Sequence, residues 1–287
     1  MLSINSNYAS AFASNAANTA SKGLDSAMEK LSTGSRINYA KDDAAGQAIS
    51  TRLSAEIQGL AMASRNAADS QSLIDTAEGG MQETHNVLLR MRELAVQSAN
   101  GTLTDADRQH TDAEFKQLQN EMDRIHHNTK WAGQNTFGRS FSFQVGEGAN
   151  QTINVNIGEV SSYAPVNGPI GGDFDGVRND LGIGTFNIEL ETVSQSQRAI
   201  EAIDIAIDYI SSERGKLGAV SNRLDSTMSN LDQVAVNLSA SQGRIQDADF
   251  AQETGNLAKN QILQQAATAM IAQANASKSS VLSLVRG

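Results

Sequence analysis

Two rows of apolar residues, one in each half of the chain, recur at alternating steps of three and four. The first runs Ile49, Leu53, Glu56, Leu60, Ala63, Ala67, Ser70, Ile74, Ala77, Met81, Thr84, Leu88, Met91, Ala95 and Ser98, and is broken only by Glu56, Ser70, Thr84 and Ser98. The second runs Ile203, Ile207, Ile210, Arg214, Leu217, Ser221, Leu224, Met228, Leu231, Ala235 and Leu238, broken only by Arg214 and Ser221. A repeat averaging about 3.5 residues keeps one face of a helix against a partner helix, so each row predicts a coiled-coil strand. At ~1.5 Å per residue, a helix from Ala44 to Ala99 would be roughly 80 Å long, beyond the ~30 Å of a small domain, and the expected shape is a rod.

Flanking segments read as thinner helices. From Asn7 to Leu31 the small and apolar residues Tyr8, Phe12, Ala16, Ala20, Leu24, Ala27 and Leu31 recur mostly four apart, and Gly34 supplies a left-handed C-terminal cap. Asp42 or Asp43 can cap the long helix that follows, which ends at Asn100-Gly101. Thr104 caps a third helix carrying Ala106, His110, Ala113, Leu118, Met122 and Ile125 toward Asn128. Phe141, Phe143 and Val145, then Ile153, Val155 and Ile157, alternate with polar residues across Gly-Glu-Gly-Ala-Asn, the pattern of a β-hairpin. Gly158 to Gly184 reads as loop, with a third strand expected at Phe186 to Leu190. Helix resumes near Ser194, is expected to break at Gly243, and returns with Leu263, Ala267, Met270, Ala274, Ser277, Val281 and Leu284.

The economical fold is therefore mainly α: a long antiparallel helical hairpin, a coiled-coil rod, with a small β-hairpin in the middle of the chain. Only 5% of residues are aromatic, which argues for a narrow seam and against a thick core. The terminal helices have faces too thin and alanine-rich to stand alone in water, so they need neighbours.

Charge and composition narrow the function. A formal charge of −10 disfavours nucleic acid or an anionic membrane as partner. No cysteine is present, so disulfide and thiol chemistry are excluded. No apolar run reaches the ~18 residues of a membrane span, and the start of the chain lacks the basic and apolar regions of a cleaved secretory signal.

Candidate chemistry is sparse. His126 and His127 are adjacent on a helix, point about 100° apart and cannot chelate one ion. Asp173-Phe-Asp-Gly176 lacks the later ligands of a calcium loop, and Gly182-Ile-Gly184 lacks the third glycine of a dinucleotide site. No metal, cofactor or catalytic residue is expected, and the chain reads as a structural protein rather than an enzyme. Arg214 and Ser221 interrupt the second row. Each either fixes register or, in the case of Arg214, snorkels to solvent.

The chain closely resembles bacterial flagellin at Leu31-Ser-Thr-Gly-Ser-Arg-Ile-Asn-Tyr-Ala-Lys-Asp-Asp-Ala-Ala-Gly46 and Leu88-Leu-Arg-Met-Arg-Glu-Leu-Ala-Val-Gln-Ser-Ala-Asn-Gly101. The likeness continues at Asn120-Glu-Met-Asp-Arg-Ile125, Arg214-Gly-Lys-Leu-Gly-Ala219, Arg244-Ile-Gln-Asp-Ala-Asp-Phe250 and Val281-Leu-Ser-Leu-Val-Arg286. It departs at Trp131-Ala-Gly133, where family members often have Phe-Asn-Gly. The resemblance implies a short form without large outer domains, divided into an inner helical core (1–43 and 244–287), a coiled-coil shell (44–138 and 193–243) and a hairpin with variable loop (139–192). It implies a filament subunit for swimming motility, secreted through the flagellar type III channel to the extracellular flagellum. Its partners would be copies of itself, an export chaperone, and cap and hook-associated proteins. The alternative within the same family is a hook-filament junction protein. The resemblance also assigns Arg90, Leu94 and Glu114 to contact with the host Toll-like receptor 5, although Leu89 stands where many receptor-active members have glutamine. The residues by themselves also allow Arg90 and Glu114 as solvated charges and Leu94 as a flank of the seam at Ala95.

Overall fold

The structure, a computed structural model, describes residues 7–159 and 189–286, with side chains through Lys278. Among the described residues the elements are helices α1 (Tyr8–Thr33), α2 (Ala44–Ser98) and α3 (Asp105–Asn128), strands β1 (Lys130–Trp131), β2 (Gln134–Asn135), β3 (Arg139–Gln144) and β4 (Thr152–Ile157), and helices α4 (Val193–Gln246) and α5 (Phe250–Arg286). They form two compact units, a terminal one of Met1–Gln58 with Ala235–Gly287 and a central one of Gly59–Val234. The mainly α fold with a small central hairpin is as the sequence predicts.

In the terminal unit α1 and α5 run antiparallel. Lys30 Nζ lies 3.5 Å from Glu253 Oε1, and Asn7 Nδ2 donates to Asn275 Oδ1 at 3.2 Å, so partner numbers fall as the others rise. Asn7 caps α1 by accepting from the Ser10 amide, and Gly34 ends it at φ 71°. The two candidate caps of α2 divide the work: Asp43 accepts from the Gly46 amide at 2.9 Å, while Asp42 accepts from the amides of Asn38 and Tyr39 and holds the linker. Gly46 leaves room there, since a Cβ would lie 2.6 Å from both Asp43 Oδ2 and Ile37 Cδ1 and would displace the capping carboxylate.

The expected break at Gly243 does not occur, and α4 continues to Gln246. The chain turns where the linker after α1 captures it, with Arg36 N donating to Gln246 O at 2.7 Å and Ala248 N to Gly34 O at 2.9 Å. A side chain at Gly243 would collide with the Asp247 carboxylate, so this glycine provides room instead of ending the helix. Asp249 then caps α5 by accepting from the amides of Ala251 and Gln252.

In the central unit the predicted seam of α2 is buried from Leu60 through Ser98. Ile203, Ile210, Leu217 and Leu224 of α4 share its core. The two helices are antiparallel, as the contacts Ser64–Asp232 and Arg92–Asp204 establish. A second row on α2, Gly59, Asn66, Leu73, Gly80, Val87 and Leu94, recurs one heptad apart beside the first. It receives the hairpin: a Cβ at Gly59 would meet Glu147 at 3.1 Å, Asn66 Nδ2 donates to Gln144 O at 3.2 Å, and a Cβ at Gly80 would lie 2.8 Å from the Phe137 ring. Because α2 packs on two faces, the core is wider than the narrow seam expected and includes Phe115, Met122, Phe137 and Leu190.

Thr104 and Asp107 close a reciprocal capping box on α3. In the main hairpin Phe141 lies opposite Val155 and Phe143 opposite Ile153. Of the expected third strand, Phe186 to Ile188 lie outside the described residues. Glu189 and Leu190 are not strand: Leu190 is buried, its N–H donating to Asp112 Oδ1 and its carbonyl accepting from Ser98 Oγ, each at 2.8 Å. A smaller hairpin, β1–β2, escaped the sequence reading because its strands are two residues long.

The β1–β2 turn places Ala132 at φ 47° and Gly133 at φ 82°. Two successive positive φ angles are the pattern that favours Asn-Gly, whereas an alanine Cβ is crowded there. Ala132→Asn, which restores the residue common in the resembling family, should stabilise the chain by up to about 1 kcal/mol. Urea unfolding followed by circular dichroism would check it, and an unchanged or lower midpoint would refute the strain.

Candidate functional site

The α1–α5 pair inverts the usual distribution of residue sizes. Its buried positions are small or polar: Ala13, Ala20 and Ala27, one heptad apart, with Ala267 and Glu253 from α5. Gly23 packs against the Asn260 side chain, which a Cβ would meet at 2.7 Å. Large apolar side chains point away, with Tyr8 77%, Phe12 76%, Ile262 66% and Met270 61% exposed, joined by Met28, Phe250 and Leu263. Tyr8 and Phe12, and likewise Leu263 and Met270, are therefore outside the pair, not on its inner face as their spacing suggested. Small residues at the contact allow closer approach of the two axes, which leaves no space for bulky ones. Scattered apolar residues on a surface are ordinary; here seven large ones are exposed on a single helix pair.

A second surface lies on the central unit where α2 meets α3. Arg90 donates from Nε and Nη2 to Glu114 Oε1 at 3.1 and 2.8 Å, and from Nη1 to Glu93 Oε2 at 2.9 Å. These carboxylates, Glu114 foremost, hold the guanidinium above its ordinary pKa. Both partners of the Arg90–Glu114 pair are about half exposed. Leu94 is elsewhere: only 2% exposed, it belongs to the second heptad row and to the cluster that holds Phe115 and Ala95. The structure thus brings Arg90 and Glu114 together and places Leu94 inside. Leu89 and Val96 are the apolar residues of this stretch that reach the surface, and their place off both heptad rows was the sequence signal for it.

His126 and His127 meet edge to face at 5.1 Å between ring centroids, and His127 Nδ1 lies 2.8 Å from the Asp123 carbonyl. His126 stacks on Phe137 at 5.8 Å, and burial, followed by the nearby His127, lowers its pKa below the ordinary histidine value. Among the described residues no group of three or more His, Asp or Glu side chains is placed to hold a metal ion, and no helix is long and apolar enough to cross a membrane. The segments Asp173 to Gly176 and Gly182 to Gly184 lie outside the described residues.

The described chain is built of long paired helices, and the α1–α5 pair carries large apolar side chains on its outside. Residues 4–142 match the bacterial flagellin N-terminal helical region and residues 200–285 the bacterial flagellin C-terminal helical region. The chain is 41% identical over 263 residues to a flagellin of Halalkalibacterium halodurans, covering 91% of each chain, and 36% identical over 296 residues to flagellin FlaB1 of Treponema pallidum, covering 99% of each. A solved flagellar hook-associated protein from Vibrio parahaemolyticus shares the fold, with a TM-score of 0.55, 18% identity, and coverage of 72% of this chain and all of that one. The chain belongs to the bacterial flagellin family and is a structural subunit of the flagellar filament. The junction-protein alternative is not favoured, since the relatives that match nearly end to end are flagellins.

Burial of neutral His126 has a pH consequence. Its folded pKa lies below that of the unfolded chain, about 6.5, so the unfolded state takes up the proton first as pH falls and stability drops below that value. Thermal midpoints of wild type and His126→Leu, compared between about pH 7.5 and 5, should diverge with wild type losing more. A difference that stays constant over that range would refute the assignment.

Proposed function

We propose that the outer faces of α1 and α5 are the surfaces through which copies of this chain join in the filament. The observation that carries the reading is the exposure of Tyr8, Phe12, Ile262, Leu263 and Met270 around a seam of alanines. A helix pair held by small side chains gains little from its own burial, whereas each large side chain covered by a neighbouring copy contributes about 1.5–3 kcal/mol. Order in the terminal unit is then coupled to assembly, and its mass-action stabilisation rises with subunit concentration. Such a chain travels through the flagellar type III channel before assembly, held by an export chaperone that shields the same apolar faces. It is added beneath the cap beyond the hook-associated proteins, and resides in the extracellular filament. Its role is structural, without catalysis.

Ile262→Asn combined with Phe12→Ser should leave monomer helicity unchanged, because both side chains are already exposed, yet raise the concentration needed for seeded filament growth by more than about tenfold. Sedimentation of polymer at graded subunit concentrations measures this, and assembly at the wild-type threshold would overturn the proposal.

The Arg90–Glu114 pair supports a second reading, contact with the host Toll-like receptor 5. Glu93 and Glu114 hold the half-exposed Arg90 guanidinium in a fixed direction, leaving one N–H on each of Nη1 and Nη2 for a partner, while Leu94 is buried in the core. In a receptor reporter assay Arg90→Ala and Glu114→Ala should each require roughly tenfold more protein, the scale of an interface hot spot. Equal signalling by wild type and both variants removes the pair from the site.

A further inference from the structure

Between the seam of α2 and solvent runs a row of polar residues spaced by one heptad: Ser64, Gln71, Glu78, His85 and Arg92. Four of the five reach across to α4. Ser64 Oγ donates to Asp232 Oδ1 at 3.3 Å, Gln71 Nε2 to Ser221 Oγ at 2.5 Å, Arg214 Nη2 to Glu78 Oε1 at 3.4 Å, and Arg92 Nε and Nη2 to the two Asp204 oxygens at 2.6 and 3.3 Å. The remaining member, His85, has a buried Nδ1 without a hydrogen-bond partner among the described residues.

The row does not exist for stability. Exposed ion pairs contribute little, and incompletely satisfied buried polar atoms cost free energy. Gln71 Oε1, His85 Nδ1 and Arg214 Nε are three of the five buried side-chain atoms without a partner among the described residues, and all three belong to this row and its partners. What such contacts supply is discrimination. The apolar seam repeats every seven residues on both helices, so a shift of one heptad presents leucine, isoleucine and alanine to similar neighbours. Polar pairs do not survive the shift, because each rung has different chemistry.

We propose that this row selects the register and the partner of α2, directing it to α4 of its own chain in one axial alignment and away from the equally apolar seams of other copies. Arg214 and Ser221, the two breaks in the second sequence row, are then the α4 side of the device. His85 is an open rung that contributes nothing to selection.

The absence of cysteine makes a direct test possible, since an introduced pair has no competing thiols. Ser64→Cys with Asp232→Cys places a reporter at the outermost rung, oxidised in dilute full-length protein and read as intramolecular against intermolecular crosslink. Glu78→Arg with Arg92→Asp sets like charges opposite Arg214 and Asp204 and should lower the intramolecular yield about three- to tenfold, with adding Arg214→Glu and Asp204→Arg restoring it. His85→Leu on the reporter background should leave the yield unchanged and raise the thermal midpoint. An unaltered yield after charge reversal overturns the proposal, as does failure of the compensating changes to rescue, whether or not the reversed variant folds. A fall in yield with His85→Leu overturns the assignment of the open rung.

Discussion

The central unit depends on one constraint: α2 must satisfy two partners at once. A helix with 3.6 residues per turn offers neighbouring stripes at the same heptad spacing, and α2 uses one for α4 and the adjacent one for the hairpin and α3. The two stripes differ in chemistry because their partners differ in approach. The α4 side is filled by Leu60, Ile74, Met81 and Leu88, whereas the hairpin side is relieved by Gly59, where the Glu147 Cβ would lie 3.1 Å from a Cβ, and by Gly80, where the Phe137 ring comes too close for one. Leu94 ends the second stripe, and its burial follows from that position.

The return of the chain into α4 is fixed by the same economy of polar contacts. Ser98 and Asp112 grip the two backbone groups of Leu190, while Arg108 donates to the carbonyls of Ser98, Asn100 and Leu103 and satisfies the end of α2. A few buried polar side chains thus close the central unit just ahead of α4, and at Leu190 they do so through backbone atoms.

The α1–α5 pair follows the opposite rule. Its fully buried positions are alanines and Glu253, Gly23 packs on Asn260, and Tyr8, Phe12, Ile262 and Met270 face outward. A self-sufficient domain buries its largest apolar groups. A filament subunit can leave them for its neighbours, since each copy then stabilises the next. Of the row read from the sequence, Ala20 and Ala27 turn fully inward, Ala13 joins them from outside that row, and Tyr8, Phe12 and Ala16 are exposed. Which of two nearby stripes turns inward depends on how closely the partner helix approaches, and that is a property of both helices together.

Local signals were read correctly where the controlling interaction lies within a few residues: the caps at Gly34 and Thr104, and the alternation of Phe141, Phe143, Ile153 and Val155. The helix end predicted at Gly243 failed because the linker around Gly34 and Arg36, some two hundred residues distant, decides where α4 stops. By itself the sequence determined the helices, the hairpin and the outlines of the seams, since periodicity and capping are properties of contiguous residues. Only the tertiary structure decided which stripe is buried, that Leu94 lies inside while Arg90 and Glu114 meet at the surface, and that the polar row of α2 finds partners on α4. Those outcomes rest on the distance and register between helices far apart in the chain, which no local pattern encodes.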